Sequence, residues 1–171
     1  MSTRTHLVEL EALGLIHVAA ASEEASYIFR HALIQDAAYA SLVKQDRQQL
    51  NLVVGETLER LYADRTDQIA LRLAQHFAEA GDDQRSLKYF TLAGDRAVQQ
   101  FANAEAVTHY THALTIAHRT PALENASFVL RHLYLQRGQA LHSLAQYQSS
   151  LDNYLAMQNV AQQRGDRSLE L

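Results

Sequence analysis

The chain has 171 residues, enough for one domain or two small ones. Hydrophobic residues at 47% against charged residues at 20% exclude a disordered tail or a fibre, and the absence of cysteine excludes disulfides, thiol catalysis and thiolate zinc sites. Fifteen Lys and Arg against nineteen Asp and Glu give a net charge of -4, which removes any global attraction to a phosphate backbone.

No apolar run nears the roughly 20 residues that span a bilayer, and the N-terminus lacks the basic-then-apolar pattern of a signal peptide, so a cytoplasmic location is expected. One proline and six glycines, with abundant Ala, Leu, Gln and Glu, predict a mostly helical protein. Leu7, Val8, Leu10 and Leu13 fall at helical spacing before Gly14, which predicts a first helix over 5–13. Ile16 and Val18, then Tyr27, Ile28 and Phe29, read as two short strands around the polar turn Ser22 to Ser26. Helical spacing resumes over 31–42 and again over 46–62, where Leu50, Val53, Val54, Leu58 and Leu61 share a face that Gly55 weakens without breaking. A polar break at 63–67 then precedes five helices over about 68–80, 83–100, 103–118, 122–144 and 147–164. Gly81 stops the first, Asp82 or Asp83 caps the second, and Thr120-Pro121 opens the fourth. Gly165-Asp166 is again a stop and a cap, so Arg167 to Leu171 reads as the opening of a further helix that the chain does not complete. The expected domains are a segment over 1–45 and a helical array over 46–171.

One pattern of small and aromatic residues occurs three times. Its sets are Ala74, Ser86, Phe90, Ala93; Gly94, Ala106, Tyr110, Ala113; and Gly138, Ser150, Tyr154, Met157. Small residues let antiparallel helices touch, and the aromatic fills the gap between neighbouring pairs. This resembles the tetratricopeptide repeat, with its L-G-x2-Y and A-x3-F signatures. The starts are spaced by 20 and then 44 residues instead of 34, so the helix over 83–100 would close one pair and open the next. A helical bundle with coincidental spacing is the alternative. The resemblance implies an all-α, right-handed superhelical array of antiparallel helices.

The N-terminal third carries a second resemblance. YIFRHALIQDAAYASL over 27–42 is similar to the segment joining a winged helix to helical repeats in bacterial multidomain signal-transduction ATPases, some fused to class III adenylate or guanylate cyclases. HFAEAGD over 76–82 and AGDRA over 93–97 are similar to that family's repeats. The resemblance implies that the β-hairpin belongs to a partial winged helix, that the ATPase or cyclase parts lie outside these residues, and that the segment senses or holds a partner.

Chemistry-bearing motifs are missing. No G-x4-G-K-[ST] phosphate loop or G-x-S-x-G elbow occurs, and Glu23-Glu24 and Asp82-Asp83 fall in turns where adjacent carboxylates diverge. No catalytic residue and no cofactor is therefore expected. His109 and His112, at i and i+3, are weak candidates for a divalent ion and lack further ligands. DNA binding by the winged-helix segment is disfavoured because the helix before the hairpin carries Glu9 and Glu11 against Arg4 alone. The inner face of the repeats is expected to present Gln75, Glu79, Lys88, Asp95, Gln99, His132, Gln139 and His142, a mixed polar set without the basic clamp that grips a C-terminal carboxylate. A protein or peptide partner, or a neighbouring domain of the same polypeptide, fits that face, without membrane or nucleic acid. Homodimerisation through the C-terminal edge is compatible with it. A DNA-contacting regulator fragment and a histidine-based metal or ligand site remain the two other readings.

Overall fold

A computed structural model describes residues 3–19, 27–120 and 126–166. The expected turn at 22–26, Pro121 and the expected helix opening at 167–171 lie outside them. The described residues form an all-α array of eight α-helices with one two-stranded β-hairpin near the N-terminus. The chain divides into two units, Met1–Arg47 and Gln48–Leu171.

The first unit holds α1 (Thr3–Ala12), β1 (Ile16–Val18), β2 (Tyr27–Phe29) and α2 (Ala32–Ser41). Gly14 ends α1 with φ +70, a left-handed conformation that costs a residue with a Cβ roughly 1 kcal/mol or more. The strands pair antiparallel in the register Ile16 with Phe29, His17 with Ile28 and Val18 with Tyr27. Ile16 is buried, whereas Val8, Leu13, Val18, Ile28 and Leu33 are exposed.

α3 (Lys44–Leu61) runs from the end of the first unit into the second, which continues through α4 (Ala70–Ala80), α5 (Asp83–Gln99), α6 (Asn103–Arg119), α7 (Ala126–Ser143) and α8 (Tyr147–Arg164). The expected break at 63–67 is instead a 3-10 stretch, Ala63–Ile69, interrupted at Arg65, and α4 starts two residues later than its apolar spacing suggests. Short runs of polar residues carry local i to i+3 bonds that hydropathy does not report.

Each consecutive pair from α4 to α8 packs together. Their core is formed by Leu73, Phe77, Tyr89, Tyr110, Leu130, Leu133 and Met157, all nearly inaccessible. Close approach is set by small residues. A Cβ on Gly94 would lie 2.5 Å from the Tyr110 ring, one on Gly138 would overlap the Tyr154 ring, and one on Gly55 would lie 2.9 Å from Phe77. The middle member of the pattern has its own task. Ser86 Oγ donates to the Ala74 carbonyl and Ser150 Oγ to the Gly138 carbonyl, both at 3.0 Å in buried surroundings, so a small hydroxyl ties one helix to the backbone of the preceding one.

Four turns of the second unit share one geometry. Gly81, Phe101, Ala145 and Gly165 have φ of +81, +59, +58 and +61. The next residue's N–H bonds back to the carbonyl five before it: Asp82 to Phe77, Ala102 to Ala97, Gln146 to Leu141 and Asp166 to Ala161. This is a left-handed helix stop of the Schellman kind. At the first three, a new helix begins two residues after the left-handed one.

Candidate functional site

Helices of the second unit alternate between two faces, and each face carries a groove. On one, Gln84, Leu87, Lys88 and Thr91 of α5 meet Phe128, Val129 and His132 of α7 around a groove of about 350 Å³. Its floor is apolar, from buried Leu87 and half-buried Val129, and Phe128 on its rim is 75% exposed. On the other, α4 and α6 flank a groove of about 390 Å³ lined by Leu71, Gln75, Glu79, His109, His112 and Arg119, with Phe90 of α5 at its base.

The α5 side of the first groove is braced from α3. Arg85 Nε bonds Asp82 at 2.6 Å and its other nitrogens reach Glu56 at 3.2 Å, while Tyr89 donates to Glu59 and Lys88 Nζ stands 3.7 Å from the same carboxylate. Burial, then the bond to Glu59, pushes the Tyr89 hydroxyl well above its ordinary range, so it stays a donor. Asp82 also caps α5, its Oδ1 accepting from the Arg85 N–H at 2.9 Å.

The α7 side is tied through Asp95. Its Oδ1 accepts from Tyr110 Oη at 2.8 Å and lies 2.9 Å from His132 Nε2, so one carboxylate on α5 connects α6 and α7. The hydrogen bond to Asp95 raises the His132 pKa against the opposing effect of burial. Burial followed by the Asp95 bond raises that of Tyr110.

The residues expected on a single inner face therefore divide. Lys88 and His132 border the α5–α7 groove, Asp95 braces it from a half-buried position, and Gln99 continues the α5 stripe at helical spacing. Gln139, exposed two turns along α7 from His132, continues the other side, and exposed His142 sits edge-on against Tyr147 with ring centroids 5.2 Å apart. Gln75 and Glu79 belong to the α4–α6 groove instead. The cause is the pattern match beginning at Ala74, which treats α4 as the first helix of a pair. The close contact of Gly55 with Phe77 makes α4 the second helix of the α3–α4 pair, just as Gly94 with Tyr110 pairs α5 with α6 and Gly138 with Tyr154 pairs α7 with α8.

His109 and His112 both line the α4–α6 groove. His112 is exposed and stacked on Phe90, with ring centroids 5.0 Å apart. His109 is half-buried, its Nδ1 is enclosed without a hydrogen-bond partner, and desolvation lowers its pKa. Among the described residues no three His, Asp or Glu side chains gather to hold a metal ion. Asp82 and Asp83 diverge, although Asp83 is the first residue of α5 and not a turn residue: Asp82 caps α5, while Asp83 accepts from Arg119 and from Thr120 Oγ1, the latter at 3.2 Å. Glu23 and Glu24 lie outside the described residues, and Arg4, Glu9 and Glu11 sit on α1. No described helix is long and apolar enough to cross a membrane. No protein-family model matches the chain, and neither does any curated protein or solved structure.

Proposed function

We propose that the chain is a non-catalytic interaction module whose α5–α7 groove holds a short peptide segment of a protein partner. The observation that carries this reading is the groove itself: an apolar floor of Leu87 and Val129, an exposed aromatic rim at Phe128, and Lys88 and His132 at the edges. Such a surface suits one large apolar anchor residue flanked by carboxylates, because the floor gains from burying the anchor and the edge groups are cationic or donors. The braces from Glu59 to Tyr89 and from Asp95 to His132 and Tyr110 hold the walls before a ligand arrives, which limits the ordering cost of binding. The two sequence resemblances support the wider setting: a tetratricopeptide-like array beside a partial winged helix, in a cytoplasmic signalling ATPase whose output the module would bias by holding a partner or a neighbouring domain.

The test is selection of peptides from a random display library on the immobilised chain, followed by calorimetry of the selected sequences. Enriched peptides should carry one aromatic or leucine side chain next to Asp or Glu. Val129→Lys should weaken them about tenfold or more, as expected when a central apolar contact is replaced by a charge. Gln75→Ala with Glu79→Ala, in the other groove, should leave them unchanged. Failure to enrich any peptide, or equal effects of the two changes, would sink the reading.

A further inference from the structure

The pair α7–α8 repeats the pair α5–α6, since Gly138 and Tyr154 meet as Gly94 and Tyr110 do. The furrow between α6 and α8 and the furrow between α4 and α6 are therefore equivalent places. Arg137, Leu141, Ser149 and Asn153 line the first, and their counterparts Ala93, Ala97, Glu105 and His109 line the second. In the first, the array supplies a cation of its own: Arg137 Nε donates to Asn153 Oδ1 at 2.8 Å, and its Nη1 donates to Thr111 Oγ1 at 3.3 Å. In the second, an alanine stands where that arginine would be. His109, in the place of the acceptor Asn153, keeps its Nδ1 enclosed without a hydrogen-bond partner. Ala93 and Ala97 border a hollow of about 220 Å³ there, which shares Leu71 and His109 with the α4–α6 groove of about 390 Å³.

Charge selects what fills this hollow. Of the cations along the furrow, Arg96 is held by Asp67 at 3.0 Å and Arg119 by Asp83. Glu105 in the smaller hollow and Glu79 in the larger are exposed, and among the described residues no hydrogen bond or ion pair engages either. A bare ring nitrogen lacks a donor and two carboxylates lack a cation, so the furrow is complementary to a positively charged donor. We infer that the hollow receives an arginine side chain of a protein partner, which takes in trans the place that Arg137 holds within the next pair. Its stem lies on Leu71 and Ala93, and its guanidinium meets Glu105 and His109, whose ring turns about χ2 to bring Nδ1 to it. The planar fork serves the carboxylate and the ring nitrogen at once, which an ammonium on a lysine stem does less well. None of these residues lines the α5–α7 groove, so this site and the peptide-binding proposal can fail separately.

The test is titration of the isotope-labelled chain, followed by its amide chemical shifts, with the peptide acetyl-Gly-Leu-Arg-Leu-Gly-amide. The same peptide with citrulline, the uncharged isostere, in place of arginine is the comparison. The arginine peptide should move amides around Ala93, Glu105 and His109, and the citrulline peptide should bind about tenfold more weakly, as expected when a hydrogen-bonded charge is lost. Glu105→Gln, at an exposed position, should weaken the arginine peptide about threefold. Ala93→Arg, which supplies the missing cation in cis, should close the site with the helical circular dichroism intact, and Glu105→Gln decides the matter if that variant does not fold. Shifts that are absent at millimolar peptide or centred elsewhere overturn the inference. So do equal affinities for arginine and citrulline, an affinity that Glu105→Gln does not change, and free guanidinium ion binding as tightly as the peptide.

Discussion

The two units of this chain handle apolar side chains in opposite ways. In Gln48–Leu171, Leu73, Phe77, Tyr89, Tyr110, Leu130 and Leu133 are enclosed between helices, and helices are tied to their neighbours by small residues, serines or a shared carboxylate. In Met1–Arg47, Ile16 is the buried hydrophobic among the described residues, while Leu13, Leu33 and Val43 stand in the open. Helical spacing looks alike in both units, so amphipathic pattern states what a segment could bury and leaves open whether a partner surface is present to bury it.

The largest expected effect tests that contrast directly. Leu133→Ala removes a fully enclosed side chain between helices and should cost about 2 to 5 kcal/mol, whereas Leu33→Ala, at a side chain 81% exposed, should change stability by no more than about 0.5 kcal/mol. Urea unfolding of the two variants checks it, and equal losses would show that the units differ less than their burial does.

A smaller effect concerns protons. His132 has its pKa raised by Asp95, so its contribution is complete below the ordinary imidazole range and is lost as pH rises through the raised folded value. His76, His109 and His118 have theirs lowered, chiefly by burial, and contribute in the opposite sense, losing stability as pH falls through their folded values. The second unit should therefore weaken on mild acidification, with His132 opposing the trend. In His132→Asn the acid-side loss should steepen, and the difference from the parent should shrink above the His132 pKa. Melting temperatures at a series of pH values would read this, and parallel curves would remove Asp95 and His132 from the account.

The smallest effect is a gain. Ala145 holds φ +58 at the turn into α8, so Ala145→Gly should stabilise the second unit by about 1 kcal/mol, read as a raised melting temperature. No change would mean that the turn relaxes freely.

Much of the architecture was legible. Glycine stops at 14, 81 and 165, the hairpin strands and the five helices after the polar break all stand in the residues, because caps and apolar periodicity are local signals. The pairing phase was not. Gly55 meets Phe77 across a connection six residues longer than the one between Gly94 and Tyr110, so a search at fixed spacing passes over the α3–α4 pair and assigns Gln75 and Glu79 to the wrong face. The left-handed turns at Phe101 and Ala145 carry no glycine to announce them. The bridge from Asp95 to Tyr110 and His132 joins three helices, and no spacing along one helix reveals it.

The repeated turn geometry gives the array a rule of composition. The step from α5 into α6 through Phe101 and Ala102 has the same form as the step from α7 into α8 through Ala145 and Gln146. Excising residues 103–146 would join α5 to α8 across a joint that already fits, and duplicating the same stretch would lengthen the array without a new joint being devised. Recombination at these turns would change the number of helices while keeping a left-handed stop at the joint it makes.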